Sequence, residues 1–126
     1  MAGLTLDSGA LIAIERGERS VYAHLKEAHA RSLVITVPTV VVGEVWRGGT
    51  RAALIARVLS VCIIEPLSDA LARSAGEALG KVRGARLADA VVMASAASRG
   101  DMVLTSDLTD LLRLRAAFPN ARPVRL

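Results

Sequence analysis

Short β-branched runs alternate with longer helical stretches along the whole of this 126-residue chain. Leu4-Thr5-Leu6 and Ser32 to Val37 (SLVITV) read as buried strands, and Ser60 to Glu65 (SVCIIE) and Met102 to Thr105 (MVLT) as further strands. Pro123 to Leu126 reads as an edge strand. Between them, helical periodicity covers Ser8 to about Arg16, about Glu18 to Ala30, Thr50 to Leu59, Asp69 to about Leu79, Leu87 to Ser98 and Asp107 to Ala117. Pro38 suits the first position of a further helix carrying Val41, Glu44 and Val45, which stops at Gly48-Gly49. Strand and helix in alternation predict an α/β domain, with a mainly parallel sheet and helices on both faces.

The length predicts one domain over residues 1–126. Hydrophobic residues make up 52% of the chain but aromatics only 2%, so Ala, Val, Leu and Ile must fill the core. That favours helices packed closely on a sheet over an aromatic-lined pocket. Cys62 is the only cysteine and lies in an apolar run, which predicts a buried structural thiol and suits a reducing compartment. No basic stretch opens the chain and Asp7 interrupts the first apolar segment, so no signal peptide is expected. The longest apolar candidate, Leu33 to Val42, is far below the roughly 18 residues a membrane span needs. A soluble, cytoplasmic protein is the expectation.

The net charge is +4 and the basic residues are almost all Arg, with only Lys26 and Lys81 as lysines. Arg suits bidentate contact with phosphate, which makes nucleic acid a plausible partner. A high genomic G+C content would raise Arg and Ala equally well.

The acids fall where an α/β sheet places its site, at the carboxyl ends of the strands. Asp7 follows the first strand, Glu44 lies in the helix after the second, and Asp107 follows MVLT. Asp89 lies in the first turn of the helix before MVLT, and Asp110 stands one turn beyond Asp107. Each also has a structural explanation. Asp7, Asp89 and Asp107 sit where carboxylates cap helices, Asp107 and Asp110 resemble a capping box, and Asp89 has Arg86 at a pairing distance in sequence. Glu44 is mid-helix among apolar neighbours, although Arg47 and Arg51 lie on a nearby stripe. Four carboxylates at one edge would repel one another, and a hard divalent cation such as Mg²⁺ or Mn²⁺ resolves that conflict. His24 and His29 both lie on the second helix away from the acids, so an all-oxygen site is expected and the usual zinc site is not.

Leu6-Asp7-Ser8-Gly9-Ala10-Leu11, Val42-Gly43-Glu44-Val45, Leu87-Ala88-Asp89-Ala90 and Leu104-Thr105-Ser106-Asp107 occur in that order. Together they resemble the PIN-domain family, most closely the VapC-type toxins of toxin–antitoxin pairs. The resemblance spans essentially the whole chain and implies a three-layer α/β/α sandwich with a central parallel sheet. It implies a Mg²⁺- or Mn²⁺-dependent endoribonuclease whose acidic quartet is Asp7, Glu44, Asp89 and Asp107, with Asp110 as a further acid. Ser8 and Thr105 match the hydroxyl positions that support the first acid. Many relatives carry Phe after the further acid where this chain has Leu111, which leaves the role of Asp110 open. A cognate antitoxin whose C-terminal segment obstructs the site is implied too, and homodimers are common in the family. Trp46 is then either core or part of the groove for an antitoxin helix. The basic stretch Lys81-Val-Arg83-Gly-Ala-Arg86 precedes Asp89 directly and is the candidate RNA contact, or else a solvated loop. A PIN-like module that binds without cutting and a housekeeping RNA-processing nuclease are the alternatives. An aspartyl phosphoacceptor fits less well, because neither lysine follows a strand.

Overall fold

The computed structural model describes residues 2–126. Five strands form one sheet: β1 (Leu4–Leu6), β2 (Ile35–Pro38), β3 (Ile63–Glu65), β4 (Met102–Thr105) and β5 (Arg122–Arg125). The order is β3-β2-β1-β4-β5 and every pairing is parallel. Helices α1 (Ser8–Glu15) and α2 (Arg19–Ala30) join β1 to β2. Helix α3 (Thr39–Val45), a 3₁₀ turn (Thr50–Ala52) and α4 (Ala53–Leu59) join β2 to β3. Helices α5 (Asp69–Lys81) and α6 (Leu87–Arg99) lead to β4, and α7 (Leu108–Arg113) to β5. Helix α1 packs on α3 and α4, whereas α5 packs on α6, which lies across β1, β2 and β4. The result is the three-layer sandwich with a parallel sheet that the alternation predicts.

Burial follows position in the sheet. Every residue of β1 and β2 is buried, as are Val103 to Thr105 of β4, whereas the edge strands β3 and β5 are largely exposed or half-buried. Leu6, Leu11, Ile14, Val37, Met93 and Leu104 are among the fully buried side chains that join the layers.

Several boundaries differ from expectation. Ser32 takes a left-handed turn (φ 55°), so β2 starts only at Ile35. Pro38 ends that strand and is the N-cap of α3, with ψ at 143°; its ring tolerates this extended backbone, and the helix begins one residue later. Gly80 and Lys81 extend α5, so the basic loop is shorter than expected. Cys62 lies in the turn before β3 and is half-buried; burial pushes its thiol up to about 11.

One polar network ties the centre of the sheet together at the end where β4 begins. Asp101 is 1% exposed and its carboxylate accepts from Gly3 N and Thr5 Oγ1, both at 2.8 Å. Arg99 donates from Nε to Asp101 (3.0 Å), from Nη1 to Glu65 (3.2 Å), and from Nη2 to Thr5 (3.1 Å) and Ser95 (2.8 Å). A buried carboxylate is tolerated when it is paired and hydrogen-bonded in this way.

Candidate active site

Chain direction reverses between β1 and β4. From β1 the chain moves outward through β2 to β3, then crosses back to place β4 on the other side of β1. Neighbouring crossovers leave a crevice at the carboxyl ends of such strands. Asp7 leaves β1 at this point and Asp107 leaves β4, and Asp7 N donates to Leu104 O at 3.3 Å. One glycine lets the two exits lie close. A Cβ on Gly9 would stand 2.1 Å from Ser106 Oγ, 3.0 Å from its Cβ and 3.1 Å from its N, so glycine lets α1 start against the turn that carries Asp107.

Asp7 is the buried member, at 5% exposure. It is the N-cap of α1, and its Oδ1 accepts from Ala10 N at 3.0 Å, so the capping role holds. Burial pushes its pKa from 3.8 up to about 6. The Thr105 hydroxyl and the Ala10 and Gly9 amides partly offset this, while the charge of Asp89 adds to it. Thr105 Oγ1 also accepts from Asp107 N at 2.8 Å. Ser8 opens α1 half-buried, with no hydrogen bond to Asp7 among the described residues.

Asp89 lies in the first turn of α6, its side chain 13% exposed, and pairs with Arg86 Nε at 3.4 Å. Asp107 is exposed and is the N-cap residue of α7, but its side chain makes no capping hydrogen bond. The capping-box expectation fails there. The neighbouring Asp110 carboxyl, then burial and the charge of Asp89, raise the pKa of Asp107, while Arg86 lowers it. Glu44 is exposed on α3 and forms no ion pair among the described residues. It lies beside a cavity of about 200 Å³ lined by Ile12, Glu15, Arg47, Arg51 and Ile55. Space beside Gly43 is open. Asp89 thus acts on the charge of both Asp7 and Asp107, and Glu44 joins them through Arg86, whose cation Asp89, Glu44 and Asp107 all favour.

All the donors are carboxylates, which is the chemistry of a hard divalent cation. Among the described residues, no three His, Cys, Asp or Glu side chains gather tightly enough to enclose an ion unaided. Such a donor set fits Mg²⁺, which keeps several waters in its shell.

The chain matches the model of the PIN domain over residues 4–116. It belongs to the PIN-domain family. Solved structures with this PIN fold include VapBC2 from Rickettsia felis bound to a DNA fragment from their promoter, at 17% identity over 98% of both chains and a TM-score of 0.78. DNA-bound VapBC from Salmonella typhimurium is similar at 16% identity, over 99% of this chain and 98% of that one, with a TM-score of 0.72. FitAcB from Neisseria gonorrhoeae shares 17% identity over 95% of each chain, with a TM-score of 0.65. No curated protein matches the chain in sequence.

Around the acids of this PIN domain, Lys81, Arg83 and Arg86 are exposed. Arg113 of α7 donates to the Arg83 carbonyl and so braces that loop. Sequence reasoning missed Arg113, although its place one turn beyond Asp110 puts it near the site. Trp46 is 42% exposed, which rules out the core reading. An apolar groove of about 600 Å³ between α2 and α4, lined by Tyr22, Leu25, Leu33, Val58 and Val61, holds none of the acids. His24 and His29 sit on α2 as expected, His29 in the wall of that groove. No helix among the described residues is long and apolar enough to cross a membrane.

Proposed function

We propose that the chain is the toxin of a VapBC-like toxin–antitoxin pair, an endoribonuclease that hydrolyses RNA phosphodiester bonds with Mg²⁺ or Mn²⁺. The observation that supports the reading is Asp7 at the β1/β4 crevice, buried at a cost in charge that Asp89 increases and a cation would relieve. Asp7, Asp89 and Asp107 hold one cation, directly or through water. Glu44 orients the attacking water or helps bind a second cation, and Asp110 fixes the carboxylate of Asp107. When bound, the cation lowers the pKa of water and offsets charge on the phosphate. In-line attack leaves a 5′-phosphate and a 3′-hydroxyl. The Thr105 hydroxyl and the Ala10 amide keep Asp7 in place throughout.

Lys81, Arg83 and Arg86 hold the RNA backbone, on a loop that Arg113 steadies. Few aromatics are available for base stacking, which favours backbone contact and RNA shape. The partner is a cognate antitoxin, as in the VapBC and FitAB complexes of like fold. Exposed Trp46 and the groove between α2 and α4 offer it apolar surface to bury. A homodimer is part of the reading.

Purified protein incubated with total RNA, followed by mapping of the new ends, tests it. Cleavage should stop with EDTA, return with Mg²⁺ or Mn²⁺, and be lost in Asp89→Asn. Metal-independent cleavage, or full activity of that variant, would refute the assignment.

A further inference from the structure

Arg86 occupies an unfavourable position for a cation. It is the N-cap of the 13-residue helix α6, with extended backbone (ψ 149°) and no side-chain cap. Helix N-termini favour Ser, Thr, Asp or Asn and repel positive charge. What holds Arg86 there is the acid site. Its Nε lies 3.4 Å from Asp89 Oδ2, with the Asp89 side chain 13% and its own 65% exposed. Glu44 and Asp107 add attraction from α3 and from the end of β4. Two other arginines near the acids are engaged elsewhere: Arg113 with the Arg83 carbonyl, and Arg47 with the carbonyls of Gly43 and Trp46.

We propose that Arg86 is a built-in counter-cation of the acidic site, which pairs with Asp89 in the metal-free protein and competes with the divalent cation for that carboxylate. The inference rests on the metal-site reading above. Two cations cannot share one monodentate carboxylate at full strength, so ion entry at Asp89 weakens the Arg86 pair. By reciprocity, whatever draws Arg86 away from Asp89 strengthens ion binding by the same factor. An RNA phosphate that attracts the guanidinium is one such group. Arg86 then links arrival of substrate to uptake of the ion.

Calorimetric titration of Mn²⁺ into the wild type, Arg86→Gln, Arg86→Lys and Arg83→Gln tests this in the absence of RNA. An exposed pair of this kind should hold the affinity back by up to about fivefold, so Arg86→Gln should bind Mn²⁺ up to about fivefold more tightly. Arg86→Lys should stay nearer the wild type. Arg83→Gln, which removes the same charge three residues away, should leave the affinity unchanged. Equal or weaker binding by Arg86→Gln, or an equal gain from Arg83→Gln, would overturn the counter-cation role alone. Binding by none of the four proteins would overturn the metal-site reading and this inference with it.

Discussion

Replacing Asp7 by Asn should abolish cleavage and yet stabilise the metal-free protein. Asn is as good an N-cap as Asp, so the bond from Ala10 N to the side-chain oxygen is retained. What disappears is the cost of a charge in a site only 5% exposed. The sign follows from linkage. At low pH, below the ordinary value of 3.8, Asp7 is neutral in folded and unfolded chains alike. As pH rises towards about 6, the unfolded chain releases its proton first and the wild type loses stability relative to the variant. Above that the difference levels off. The shift corresponds to about 3 kcal/mol at most. For a chain of this length that is a rise in melting temperature of up to roughly 10 °C. Thermal unfolding in EDTA at pH 3 and at pH 7.5 reads the effect directly. The two proteins should melt alike at pH 3, and the variant should melt higher at pH 7.5. Adding Mg²⁺ should then raise the wild type and leave the variant nearly unmoved, because the ion stabilises only the state it binds. A variant that melts lower at pH 7.5, or that responds to Mg²⁺ as the wild type does, would refute the reasoning.

Cleavage at limiting Mg²⁺ should fall as the pH drops through about 6, as Asp7 takes up its proton, and the midpoint should move to lower pH as Mg²⁺ is raised. A pH–rate series at two ion concentrations checks this, and a midpoint indifferent to Mg²⁺ would count against Asp7 as a ligand. Gly9→Ala should destabilise the protein by about 1–3 kcal/mol, because its methyl meets Ser106 at 2.1 Å. Adding Ser106→Gly should restore part of that loss in denaturant unfolding; strictly additive effects would show that the two residues do not collide.

Much of this was legible from local pattern. The buried strands β1, β2 and β4 announce themselves by β-branched and aliphatic runs, and Ser68 caps α5 through Leu71 N as its residue type suggests. Asp7, Asp89 and Asp107 could be picked out because each lies next to a strand exit or a helix start. Trp46 misled because hydrophobicity does not say which face of a short helix the next turn will cover. Asp107 misled because an N-cap position does not by itself turn the carboxylate onto the helix amides, and here it makes no capping bond. Asp101 went unnoticed for a different reason. Its partners Gly3 and Thr5 are almost a hundred positions away, and no periodicity in one segment records a bond to another so distant. Arg113 and Arg83 are thirty positions apart and escaped in the same way.

The Asp101–Arg99 network gives the molecule two unlike ends. At one, Gly3, Thr5 and Ser95 stitch β1 and α6 to the start of β4 through Asp101 and Arg99. At the other, the charge of Asp89 makes the ionised forms of both Asp7 and Asp107 costlier, while the Asp7 N–Leu104 O bond and the Gly9–Ser106 contact hold the exits of β1 and β4 together. The pair of strands is riveted at both ends and charged at only one, so whatever neutralises that charge acts on side chains while the sheet behind them keeps its register.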